Sequence, residues 1–291
     1  MPVDLSMALI NATVQIEQPQ GDGTRTVGTG FLVSAPEADG RPRVVLVTAN
    51  HVLTRMPGAT MRIGYRIENA DGSWRYAPQT IPIRQGSNEL WTHHGTRDVA
   101  VISVTAPPEF ARAAIPLTWL ATDDTFRQDN VGPGDEMMTL GFPRGLASNG
   151  AGFPILRAGR VASYPLAPST AFPTFLLDFA VFPGNSGGPV YIAAGNVRRN
   201  PADRTASPSQ FIAGILTQQV ELNSERLEIG IVTHARFVRE TITLLDNKSA
   251  PRLVPLVPVE GGPERPSQAV VSGTGPAVTI AASAGSMAVD R

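Results

Sequence analysis

Short runs of valine, isoleucine and leucine recur along the chain, with clusters of Gly, Pro, Asp and Asn between them. In order they read TVQIE, VGTGFLVS, RVVLVTA, MRIGYRI, QTIPIR, DVAVISV, EMMTLGF, GRVASY, FLLDFAV, PVYIAA, FIAGILT and EIGIVT. Apolar runs of this length bounded by turn formers predict strands, and such a series with hardly any helical period predicts an all-β sandwich or barrel. One segment has the other period. In HARFVRETITLL, from His234, the apolar positions Phe237, Val238, Ile242 and Leu245 share one face of a helix, which is expected to close the fold.

The pattern lapses twice. Between DVAVISV and EMMTLGF lies the long, turn-rich TAPPEFARAAIPLTWLATDDTFRQDNVGPGD, where a linker divides the region into β units of about 1–120 and 121–248. Two small barrels and one large sandwich both fit this spacing. Beyond Lys248 come SAPRLVPLVPVEGGPERPSQ and a Gly/Ala/Ser-rich end with no aromatic residue. Too little apolar area is available there to offset the entropy of ordering, so residues 249–291 are expected to form a disordered tail. The uncharged run from Ala269 to Val289 has the length of a membrane span, but Pro276, the glycines and the hydroxyls argue against one.

Composition narrows the function classes. The 291 residues are 42% hydrophobic and 17% charged, as in folded globular chains. A formal net charge of -1 without a dense basic block argues against a nucleic acid partner and against membrane adsorption. The absence of cysteine excludes disulfides, thiolate metal sites and a cysteine nucleophile. The start, MPVDLSMALINATVQIEQ, lacks the basic, apolar and small-residue regions of a signal peptide, and a cytoplasmic location is expected.

The stretch FPGNSGGPV surrounds Ser186 with residues that have almost no side chain. GNSGG fits the G-x-S-x-G elbow of α/β-hydrolases, with Ser186, Asp203 and His234 in the right order, but that fold needs a helix directly after the serine. Here Gly187, Gly188 and Pro189 lead into the strand-like VYIAA. The other nucleophilic-serine scheme needs a histidine base and a buried carboxylate that orients it. Of the four histidines, His51 ends the apolar run VVLVTANHVL. Asp98 opens another, DVAVISV, where a carboxylate must find a hydrogen-bonding partner, and His51 can be that partner. His93 and His94 in WTHHGTRD invite a metal reading, but no Cys/His/Glu set at ligand spacing accompanies them, and no metal or other cofactor is expected.

TANHVL, RDVAVISV and FPGNSGGPV, in that order, resemble the His, Asp and Ser blocks of trypsin-like serine proteases of the chymotrypsin fold. VGTGFLVS before His51, FIAGILTQ after Ser186 and the closing helix fit the same pattern, which covers about residues 8–247. Asn185, the lack of cysteine and LLDFAVFPGNSGGPV make the chain most similar to the bacterial HtrA/Deg-like branch. The resemblance implies an all-β fold of two six-stranded antiparallel β-barrels with a C-terminal helix and the active site between the barrels. It implies a serine endopeptidase acting on protein or peptide substrates, with His51 as general base, Asp98 as orienting carboxylate and Ser186 as nucleophile. The backbone N–H groups of Gly184 and Ser186 would form the oxyanion hole, and glycine at 184 would let the backbone turn both donors toward the oxyanion.

Three departures from the family pattern matter. Asn185 stands where classical trypsins carry an aspartate, so activation through a new amino terminus is not expected. The segment after residue 248 is too short and too poorly patterned for the PDZ domain that HtrA-like proteins add. The pocket residues are also apolar: Ala180 resembles the floor, and Gly214, Leu216 and Thr217 resemble one wall, which disfavours basic P1 residues and suits small or aliphatic ones. Two other functions fit the same residues: a catalytically silent pseudo-protease serving as a binding or scaffold module, and a protease that acts only on itself or one partner.

Overall fold

The computed structural model describes residues 4–249 apart from 22, 38, 194–209 and 223–224. The chain opens with α1 (Leu5–Ala12), capped by the Asp4 carboxylate accepting from the Ser6 N–H at 2.9 Å. This helix was absent from the sequence expectation. Its signals were the Asp4 cap and Leu5, Leu9 and Ala12, all buried on one face.

The first half continues through β1 (Thr13–Pro19), β2 (Arg25–Ser34), β3 (Val44–Thr48), α2 (Asn50–Thr54), β4 (Thr60–Glu68) and β5 (Trp74–Pro82). Short pieces β6 (Arg84–Gln85), β7 (Asn88–Glu89) and β8 (Thr92–His93) precede β9 (Ala100–Val104). The stretch expected as a linker holds α3 (Pro108–Ala111), β10 (Ile115–Pro116) and α4 (Asp123–Gln128), the last closed by a Thr122/Thr125 capping box. The second half comprises β11 (Glu136–Gly141), β12 (Ile155–Val161), β13 (Thr174–Asp178), β14 (Pro189–Ile192), β15 (Phe211–Leu222), β16 (Glu225–His234) and α5 (Ala235–Ser249).

The fold is all-β, with one closed barrel and one further large sheet among the described residues. Six strands of the second half form a closed barrel in the order β11-β12-β13-β16-β15-β14. In the first half six long strands lie in the order β5-β4-β1-β2-β3-β9, extended by β8 beside β9 and by β10 pairing with β2.

The continuous apolar runs VVLV and DVAVISV follow from burial on both faces of the first sheet. Leu32, Leu46, Ala100 and Ile102 enter one core with Val14, Ile16, Ile63 and Trp91. The alternate positions Phe31, Val33, Val45, Val47, Val99 and Val101 enter a second core shared with the barrel and α5. Phe237, Val238, Ile242 and Leu245, the four positions read as one helical face, are all buried in that second core. At about 1.5–3 kcal/mol per buried apolar side chain, this face is what holds α5 against the strands. The expected tail from residue 250 onward, with the candidate span in it, lies outside the described residues. Among the described residues no helix is long and apolar enough to cross a membrane.

Candidate active site

Strand register brings His51 and Asp98 together. β3 and β9 are antiparallel neighbours with Thr48 opposite Ala100. His51 follows Thr48 by three residues and Asp98 precedes Ala100 by two, so both emerge at the same end of one strand pair. Ala49 turns the chain from β3 into α2, and Trp91 Nε1 donates to Asn50 Oδ1 at 3.0 Å, anchoring the start of that helix.

The Asp98 carboxylate grips His51 twice. Oδ1 accepts from the His51 backbone N–H at 2.8 Å, and Oδ2 lies 2.6 Å from Nδ1. A carboxylate at Nδ1 keeps the ring proton there, which leaves Nε2 as the acceptor. Both side chains remain about one-fifth exposed. The pair therefore sits at an opening rather than inside the core.

The serine turn is held from the other half of the molecule. Thr29 on β2 donates its N–H to the Ser186 carbonyl at 2.9 Å and its Oγ1 to the Gly184 carbonyl at 2.6 Å, while Oγ1 accepts from the Phe142 N–H at 3.1 Å. Thr48, three residues before His51, donates its hydroxyl to the Thr29 carbonyl at 2.7 Å. One threonine thus connects the histidine's strand to the serine's loop. The sequence reading missed it, although a residue between Gly28 and Gly30 in VGTGFLVS marks a place where another backbone can come close.

Glycine is required at two positions of the turn. Gly184 has φ +96 and Gly187 φ +88, in the left-handed region. A Cβ at Gly184 would collide with the Phe142 carbonyl, and one at Gly187 with the Thr29 carbonyl and Thr48 Oγ1. The Pro183 carbonyl accepts from the Arg144 N–H at 2.5 Å. In a trans peptide the N–H points opposite the carbonyl, so the Gly184 N–H is turned away from Arg144. Among the described residues neither the Gly184 nor the Ser186 N–H has a hydrogen-bond acceptor. The Ser186 hydroxyl donates to the Thr217 carbonyl at 3.4 Å, and His51 is not among its hydrogen-bond partners.

The residues read as a substrate pocket are not equivalent. Ala180 is half-buried between the buried Phe179 and Val181. Leu216 is fully buried in the barrel core, and its backbone pairs with Gly187 and Gly188. Gly214 lies in mid-strand, opposite Val190 on one side and His234 on the other, and Thr217 bonds Ile231 and Thr233. Gly230, absent from the sequence reading, faces Phe179, Val181 and Leu216, which a Cβ there would crowd.

The α/β-hydrolase reading fails on local structure: Pro189 begins β14, a strand, where that fold needs a helix. Asp203 lies outside the described residues. His234 is buried between the rings of Phe126 and Phe175, with centroids at 4.8 and 5.0 Å. Burial pushes its pKa down to about 4, against the opposing pull of Asp123 and the Leu166 backbone. His93 is exposed, whereas His94 meets Glu240 at 3.2 Å. Among the described residues no group of three or more His, Cys, Asp or Glu side chains is placed to hold a metal ion.

Comparison with known families decides the identity. The trypsin-like peptidase domain family matches residues 28–198, more than half of the chain. The chain belongs to that family. The matched span of this trypsin-like peptidase includes His51, Asp98 and Ser186. No curated protein sequence matches it. Among solved structures, an HtrA-type protease with a tripeptide is 18% identical, with a TM-score of 0.49 over 82% of this chain. The trypsin-like peptidase spans 62% of that protein's length. A thermostable serine protease from an extremophilic microorganism is 13% identical, with a TM-score of 0.47 over 83% of this chain and 100% of its own. A protease from Arthrobacter nicotinovorans is 15% identical, with a TM-score of 0.47 over 82% of this chain and 97% of its own.

Proposed function

We propose that this trypsin-like peptidase is a serine endopeptidase that hydrolyses peptide bonds through an acyl-enzyme formed on Ser186. The observation that carries the reading is the double grip of Asp98 on His51, with 2.6 Å between Oδ2 and Nδ1. It leaves Nε2 as a base that can take only one orientation. Ser186 Oγ attacks the substrate carbonyl carbon while His51 Nε2 removes its proton, and Asp98 stabilises the imidazolium. The oxyanion is met by the N–H groups of Gly184 and Ser186, each worth about 3 kcal/mol in such sites. His51 returns the proton to the leaving amine as the C–N bond breaks. Water, deprotonated by the same imidazole, then releases the acid and restores Ser186.

Attack requires Ser186 Oγ to exchange the Thr217 carbonyl for His51 Nε2 as its hydrogen-bond partner. Catalytic hydrogen bonds commonly tighten only when substrate is bound. Ala180 and its neighbours Phe179 and Val181 are all apolar, which supports small or aliphatic P1 residues, since none of the three can neutralise a buried cation.

The serine's bond to Thr217 also favours a second reading, a pseudo-protease used as a binding module. Labelling with a fluorophosphonate separates the two. Wild type is expected to label at Ser186, with Ser186→Ala and His51→Ala both silent. A folded wild type that never labels would establish the binding-module reading instead.

A further inference from the structure

We propose that His94 is a positioning residue of the active site: its ring holds the loop that presents Asp98, and α5 holds the ring. The inference rests on the reading of Asp98 as the carboxylate that orients His51. Among the described residues the Asp98 carboxylate has hydrogen bonds to His51 alone. Thr217 Oγ1, the hydroxyl beside the carbonyl that receives Ser186, is directed instead to the Ile231 carbonyl and Thr233. Among the described residues no third side chain steadies Asp98, so its aim depends on the backbone that carries it.

That backbone is the loop between β8 and β9. The His94 N–H donates to the Val99 carbonyl at 2.9 Å and the Val99 N–H to the Arg97 carbonyl at 2.9 Å, closing the base of the loop. Inside it, the N–H groups of Thr96 and Arg97 both point at His94 Nδ1, at 3.2 and 3.1 Å. A backbone N–H can only donate, so Nδ1 carries the lone pair and the ring proton belongs on Nε2. Nε2 lies 3.2 Å from Glu240 Oε2 on α5, and Arg236 holds the other oxygen of that carboxylate at 2.7 Å. The His94 ring also stands edge-on to Phe237, at 5.3 Å between centroids, with Arg97 5.4 Å from the same ring. Fixing the amides of residues 96 and 97 fixes the direction in which the chain enters Asp98. The histidine pair that invites a metal reading therefore contains a loop clamp, and the C-terminal helix acts as its mount.

Two substitutions separate this role from mere packing. His94→Phe keeps a planar ring on Phe237 and removes the acceptor. His94→Asn restores an acceptor on the same side-chain carbon, in the manner of an Asx turn. The test uses the full chain and saturation labelling with a fluorophosphonate, which yields a maximal inactivation rate and a binding constant separately. For His94→Phe the maximal rate is expected to fall about 10- to 100-fold, as displacement of a catalytic group by about 1 Å would do, with the binding constant within about twofold. His94→Asn is expected to recover to within about threefold of wild type. If His94→Phe labels as fast as wild type, or His94→Asn is as slow as His94→Phe, the assignment is overturned. Should His94→Phe fail to melt cooperatively, nitrogen NMR of wild type decides: a proton on His94 Nε2 supports the clamp, and one on Nδ1 overturns it. A wild type that does not label overturns the reading of Asp98 itself, and this assignment with it.

Discussion

Two strands of this chain run into a helix with a histidine at the junction, one in each half of the molecule. β3 leads into α2 at His51, and β16 leads into α5 at His234. The first imidazole is 23% exposed and gripped by a carboxylate; the second, in a residue 2% exposed, lies between two phenylalanine rings with Nε2 unbonded. Both are histidines where a strand gives way to a helix, one just inside the helix and one at the strand's end, and their surroundings are opposite. What differs is the neighbouring strand: β9 delivers Asp98 to the first junction, while the second junction meets Phe126 and Phe175. A base needs a partner that keeps it in one tautomer and an opening that lets substrate reach it, and only the first junction supplies both.

The largest effect is expected from removing that partner. Asp98→Asn leaves a hydrogen-bonding group against the His51 ring but no longer holds the proton on Nδ1. Turnover should fall about 10⁴-fold, as in other Ser-His-Asp sites, with thermal unfolding little changed. A kcat within tenfold of wild type would mean that the grip on the first junction is structural only, and the contrast between the two histidines would disappear.

The second junction should reveal itself through acid sensitivity. His234 titrates at about 4 when folded and at 6.5 when free, so between those values the unfolded chain binds more protons and stability rises with pH. Nothing is lost above about pH 6.5. As pH falls to 4 about 3 kcal/mol should go, since the imidazole must remain neutral between the rings. Denaturant unfolding at pH 7 and pH 4 measures this loss, and His234→Leu should shrink it by the same amount relative to its own value at pH 7. An unchanged loss in His234→Leu would place the acid sensitivity in another group.

Legibility in the sequence followed how locally each feature is built. The strands, α5 and its buried face could be read because burial imposes a period on consecutive residues. His51 and Asp98 could be read because each adjoins an apolar run whose end the pattern marks. α1 was legible only as Asp4 followed by Leu5, Leu9 and Ala12, too short a series to stand out from the strand that follows. Gly230, and the difference between the buried Leu216 and the half-exposed Ala180, depend on barrel closure. Thr29 was illegible as a clamp, because its partners Gly184 and Phe142 lie in the other half of the chain and only the two packed sheets bring them near.

That clamp provides the mildest prediction, and it shows how the first junction is joined to the serine. Thr29→Val keeps the shape of the side chain and deletes the hydroxyl, while the bonds from Thr29 N–H to the Ser186 carbonyl and from Thr48 to the Thr29 carbonyl survive. The Gly184 carbonyl and the Phe142 N–H each lose a partner, a cost of about 1–3 kcal/mol if both remain dry. Because the Gly184 peptide carries one of the two proposed oxyanion donors, the maximal rate of fluorophosphonate labelling should drop about tenfold, as expected when a donor is displaced rather than deleted. The His51–Asp98 pair, built within the first sheet, should be untouched, so the low-field proton resonance of His51 Nδ1 should stay where it is in wild type. Loss of that resonance together with the rate would mean that the first junction and the serine turn are one cooperative unit. An unchanged rate would mean that the Arg144 bond to Pro183 suffices to aim the Gly184 amide, leaving Thr29 a purely structural tie.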